Sequence, residues 1–198
     1  METFIYVLLI ATSVVGLTFI VERALALRWR RVVPPEVEAA VESCQSRADV
    51  PMLRRVCEAH PSPMSRLLVL AAEHLDWPKA DNVDALQSRA RHEITRLERG
   101  LVVLEIIVGI APLLGLVGTI YGMMSLFQNL GITGISDAKA LAQGIGLILH
   151  ATLLGLLIAI PSLIFWSFYS KRVEVLSVEM ERLCEDFIRR QYQQTEPK

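Results

Sequence analysis

Hydrophobic positions in this chain are gathered into three long blocks, and charged ones lie outside them. Thr3–Val21 carries no charge, nor do residues 106–127 (IIVGIAPLLGLVGTIYGMMSLF) or 140–170 (ALAQGIGLILHATLLGLLIAIPSLIFWSFYS). Runs of roughly 20 apolar residues match the hydrocarbon core of a bilayer, so each block predicts a transmembrane helix. The first block has a signal peptide as its rival reading. That reading wants a basic start and a small-residue cleavage site, whereas here Glu2 opens the run and Glu22-Arg23 closes it, so a retained helix is expected.

Between the first and second blocks, proline punctuates short helices: Pro34-Pro35 opens one, Pro51 a second and Pro61-Ser62-Pro63 a third, closed by Trp77-Pro78. From about Asp81 no proline intervenes before Pro112, which predicts one helix of about 45 residues running into the second span. After the third block, Val173, Leu176, Met180, Leu183 and Phe187 recur at 3-4-3-4 spacing. Such a stripe suits partner helices or the chain's own insert, and the pattern alone leaves both open. Asn129, Gly131 and Gly134 read as turn residues, with Ser136 an N-cap for the third span.

Charge orients the spans. Arg23, Arg28, Arg30 and Arg31 follow the first, Arg89, Arg91, Arg96 and Arg99 precede the second, and Lys171 and Arg172 follow the third. Lys139 alone lies on the other side, so the positive-inside rule places the N-terminus outside. The expected fold is an all-α membrane protein with three transmembrane helices and long cytoplasmic helical extensions. Its organisation reads as 1–27 first span, 28–100 cytoplasmic helical insert, 101–127 second span, 128–138 external hairpin, 139–170 third span and 171–198 cytoplasmic helical tail.

Composition narrows the chemistry. A net charge of −1 gives no reason to expect a nucleic-acid partner. Cys44, Cys57 and Cys184 form no CxxC pair and no zinc pattern, which predicts reduced packing thiols, with no metal and no cofactor. Nothing resembles a nucleotide loop, a metalloprotease helix or a nucleophile triad, so a non-enzymatic protein is expected.

The polar residues inside the spans are few. Ala111, Gly115, Gly118, Gly122 and Ser125 form one small-residue stripe on the second span, and Ala151, Gly155, Ala159 and Ser162 another on the third. Thr119 and Thr152 border these stripes. Each hydroxyl either bonds a carbonyl one turn back in its own helix or lines a polar path. Two ionisable groups lie in or near the membrane, where such groups are costly: Glu105, which snorkels or pairs with a basic neighbour, and the deeper His150, either a hydrogen-bonding imidazole or a proton carrier.

The runs APLLGLVGTIYGMM (111–124) and ATLLGLLIAIPS (151–162), within a region beginning at Leu97-Glu98-Arg99-Gly100 and ending near 170, resemble the MotA/TolQ/ExbB proton-channel family, most closely its three-span ExbB/TolQ branch. The resemblance implies a homopentamer in a bacterial inner membrane, with a pore lined by the second and third spans. A single-span ExbD/TolR-like partner carrying an aspartate would sit within it, and the complex would couple proton flow to work on a TonB/TolA-like, periplasm-spanning effector. The family's pore threonines fall on Thr119 and Thr152. One departure stands out: the family's third-span glutamate, five residues before its threonine, is Leu147 here, and His150 lies one turn away. The alternative is a non-conducting membrane scaffold or sensor in which the glycine stripes serve only packing.

Overall fold

The structure, a computed structural model, describes the backbone of residues 2–133 and 138–193, and the side chains within them except at 2, 129–133, 138–141, 143 and 147. Every regular element in these residues is helical. Helix α1 covers Glu2–Ala26, α2 Trp29–Val32, α3 Pro35–Ser43, α4 Val50–Ala59, α5 Pro63–Glu73, α6 Lys79–Glu98, α7 Leu101–Thr133 and α8 Ala138–Gln193, with a 3-10 turn at Arg47–Asp49. Helices α1, α7 and α8 are long and apolar enough to cross a membrane. The chain divides into two compact units, residues 1–23 with 100–168 and residues 24–99 with 169–198.

In the first unit the three helices pack antiparallel in turn. Descending α1 matches ascending α7: Ile5 lies beside Gly118, Gly16 beside Ile107, and the Arg23 side chain across Gly100. Ile107, Ala111 and Ala159 form a buried knot joining α7 to α8, with Val103 and Ile158 packed on it. Hydroxyls that would be stranded in an apolar medium bond their own helix, Thr12 to the Leu8 carbonyl and Ser162 to the Ile158 carbonyl, both at 2.8 Å. Most of the remaining surface is exposed leucine, isoleucine, valine and phenylalanine, including Leu113, Leu116, Ile120, Leu153, Leu157 and Ile164. A single chain can leave these exposed only where lipid or another apolar surface meets them.

The second unit is built by proline and capping. Pro35, Pro51 and Pro63 each sit in a first helical turn, where a missing N–H costs nothing. Ser62 caps α5, its hydroxyl accepting from the Ser65 N–H at 3.0 Å. Asp49 and Ser46 form a capping box on the 3-10 turn. These hydrogen bonds hold the Asp49 carboxyl below its usual range, the Ser46 backbone N–H first among them.

One open alternative closes and two sequence expectations change here. The stripe Val173, Leu176, Met180, Leu183 and Phe187 is buried within the chain's own second unit, so its partner is intramolecular. Bonds from the end of α8 tie it down: Arg190 donates to the Val41 and Glu42 carbonyls, and the Tyr192 hydroxyl to the Trp77 carbonyl at 2.9 Å. The expected 45-residue helix is instead two, interrupted at Arg99–Gly100. Glycine is the weakest ordinary helix former, and its bare backbone is where Arg23 lies. Finally, Asn129 and Gly131 are helical because α7 continues to Thr133, while Gly134, Ser136 and residues 194–198 lie outside the described residues.

Candidate functional site on the second and third spans

The two small-residue stripes meet each other. A methyl group placed on Gly115 would stand 2.8 Å from the Ala151 carbonyl oxygen and 2.9 Å from the Thr152 Cα; on Gly155 it would stand 2.5 Å from the Ala111 carbonyl oxygen. Gly118 would strike the Ala151 Cβ at 2.7 Å, and Gly122 the Ile148 side chain at 2.7 Å. Backbone thus touches backbone between α7 and α8, the contact that small residues permit in membranes. Gly109 and Gly146, by contrast, face open space and need no such explanation. Ala111, Ala151, Ala159, Gly115, Gly122 and Gly155 are buried along this seam, and Ser125 is half-buried at its end.

Thr152 is half-buried at the seam's margin, its own backbone pressed by Gly115. Thr119, also half-buried, donates to the Leu116 carbonyl at 2.7 Å, which is the intrahelical bond expected of a lone transmembrane threonine. His150 is exposed, and its Nδ1 lies 2.7 Å from the Gly146 carbonyl oxygen of its own helix. Since a carbonyl only accepts, Nδ1–H is the donor in that contact. His150 and Thr152 therefore occupy different environments, as two residues on nearly opposite sides of a helix should. Glu105 is exposed and makes no salt bridge among the described residues.

Sequence reasoning missed the most heavily engaged carboxylate. Glu93 on α6 is fully buried and receives a bidentate contact from Arg66 on α5, 2.9 Å at Nε, with Arg89 at 3.3 Å and Arg96 at 3.9 Å. The Arg66 hydrogen bond, then the three positive charges, hold Glu93 below the usual carboxylate range against its burial. The i,i+4 and i,i+3 spacings to Arg89 and Arg96 were a sequence signal, whereas Arg66 was not, because it arrives from another helix. The three cysteines are free and buried, as packing thiols should be. Burial pushes the Cys57 thiol up to about 11 and the Cys184 thiol to about 12. No cluster of metal ligands occurs among the described residues.

Residues 61–182 match the model of the MotA/TolQ/ExbB proton channel family, well beyond the 97–170 region that carries the motifs. The chain is 37% identical over 109 residues to biopolymer transport protein ExbB of Helicobacter pylori, covering 55% of this chain and 70% of that protein. It is 30% identical over 169 residues to a putative ExbB homolog of Methanothermobacter thermautotrophicus, covering 84% of this chain and 60% of the relative. To the ExbB-like protein 1 of Synechocystis it is 34% identical over 166 residues, covering 79% and 63%. The matches thus span between 60% and 70% of these relatives' lengths. With three apolar helices, paired small-residue stripes and a family match over more than half its length, the chain is a multi-pass membrane protein belonging to the MotA/TolQ/ExbB proton channel family.

Proposed function

We propose that this chain is the proton-channel and stator subunit of a membrane motor that couples the proton-motive force to mechanical work on a periplasm-spanning partner, in the manner of biopolymer transport. The observation that carries the reading is the α7–α8 seam. The glycines are consumed in packing within one chain, which leaves Thr119 and Thr152 at the margin and the outer faces of both helices for neighbouring copies. A homopentamer in a bacterial inner membrane, N-terminus in the periplasm, fits that division of faces and the distribution of arginine.

Threonine hydroxyls orient water but do not hold a proton at neutral pH, so a titrating group must come from elsewhere. A single-span ExbD/TolR-like partner bearing an aspartate supplies it, with His150 and Glu105 as accessory ionisable groups and a TonB/TolA-like effector receiving the work. One charge crossing 100 mV releases about 2.3 kcal/mol, so a few protons suffice for a mechanical step. The chain itself makes and breaks no covalent bond in this scheme.

The test is proton flux driven by a pH gradient in proteoliposomes holding the chain and its partner. Wild type should conduct only with the partner, and Thr152→Val should assemble normally yet conduct at a small fraction of that rate. A second reading, a non-conducting scaffold, draws support from Thr119 and His150, whose side chains bond their own helix. An assembled complex without flux would establish it.

A further inference from the structure

Several arginines within the second unit are engaged. Arg47, Arg54, Arg66, Arg89 and Arg96 form salt bridges, and Arg190 donates to two carbonyls. Arg30 and Arg31, like Arg28, Arg55, Arg91 and Arg99, are exposed and have no ion-pair partner among the described residues. Arg30 and Arg31 line a cavity of about 630 Å³ together with Glu36, His60 and the prolines 34, 35 and 61.

The cavity is framed by fixed backbone. Proline locks its own φ, so three of the lining residues cannot rotate away. His60 is held at both ends: its N–H donates to the Val56 carbonyl at 3.0 Å, and its own carbonyl accepts from the Ser65 hydroxyl at 2.6 Å. Arg30 and Arg31 stand on α2, anchored by the fully buried Val32 and Val33 that follow. On the same short helix, Trp29 carries the Arg172 guanidinium 5.8 Å from its ring centroid. Two guanidiniums and an imidazole around one concavity match the donor pattern that phosphate oxygens take. Glu36 opposes a bare anion, but it accepts hydrogen bonds from any hydroxyl or ammonium carried beside the phosphate.

Chain length keeps Arg30 close to the end of α1, an apolar span. Arg30 follows Ala26, the last residue of α1, by four residues, which extend at most about 14 Å. Trp29 between them is the residue type favoured at the membrane–water boundary. We propose that this cavity binds a phosphate group, presented either by an anionic lipid headgroup of the adjoining leaflet or by a soluble phosphate. The site is independent of proton conduction and nothing in the proposed motor requires it.

The test uses the full chain in nanodiscs of phosphatidylcholine with a minority of phosphatidylglycerol, scoring lipid retained after release by native mass spectrometry. Phosphatidylglycerol retained by wild type, reduced about tenfold in the Arg30→Gln/Arg31→Gln variant and unchanged in Arg91→Gln/Arg99→Gln, assigns the lipid. Arg91 and Arg99 are exposed on or beside α6, so that control removes equal charge elsewhere. In pure phosphatidylcholine discs, a saturable shift of the His60 imidazole resonances by inorganic phosphate, absent in Arg30→Gln/Arg31→Gln, assigns the soluble source. Neither response, or equal loss in both arginine pairs, overturns the proposal, the latter because it reduces the effect to diffuse charge.

Discussion

At Gly155 one added methyl group would sit against the Ala111 carbonyl, and at Gly115 against the Ala151 carbonyl, so neither clash can be relieved by turning a side chain. Gly155→Ala is expected to lose about 1–3 kcal/mol of stability through overpacking, read as a lower melting temperature in detergent. Gly146→Ala, which meets open space, should be neutral or slightly favourable. Glu93 shows how a single residue links packing to pH. Its folded-state pKa is depressed, chiefly by Arg66, so it contributes stability above the unfolded carboxylate value of about 4.3 and loses it as pH falls through the folded value. Glu93→Gln should cost about 2 kcal/mol near neutral pH, discounted because its arginine partners reach water. Urea unfolding at pH 7 and pH 3.5 checks this: the wild type should weaken more on acidification than the variant. Cys57 and Cys184, with thiols raised by burial, should resist a thiol reagent at pH 8 until the protein is unfolded.

At the scale of elements, the sequence was most readable where one periodicity or one stop signal decides the outcome. Uncharged runs marked α1, α7 and α8, and prolines marked the starts of α3, α4 and α5. It was least readable where two distant segments decide together. Nothing near Gly100 announces that Arg23 lies across it, and the stripe beginning at Val173 names no partner until the insert is seen to cover it. The loop residues Asn129 and Gly131 carry turn chemistry but sit in α7, where a long apolar helix overrides local preference. Of the candidate site, both threonines and the small-residue stripes were legible from spacing. That the stripes face each other within one chain was not, because spacing gives a face and not what covers it. Removal of the α5 cap by Ser62→Ala should cost about 1 kcal/mol, whereas Phe187→Ala, fully buried in the α8 stripe, should cost about 3–5 kcal/mol. Chemical denaturation of the two variants side by side measures the difference between a local and a long-range contact.

For the whole molecule, the balance of surfaces matters more than any one site. The apolar faces of α1, α7 and α8 remain largely exposed in a single chain, while the second unit has a closed core around Met64, Leu68, Leu176 and Phe187. Residues that govern conduction and residues that govern folding are therefore expected to separate. Thr152→Val should spare the second unit, and Phe187→Ala should lower its stability whether or not a partner is present.

The seam between α7 and α8 also bears on how such a sequence can drift over time. An exposed leucine such as Leu113 or Leu157 can be exchanged for another apolar residue without disturbing this chain's own packing. Gly115 and Gly155 have no such freedom, since any side chain there meets a main-chain atom that no second mutation can shrink. Substitutions among descendants of this chain should therefore accumulate on the outer faces of the spans and stall at the glycines. The record of variation would then trace the seam as a line of fixed positions bordered by changeable ones.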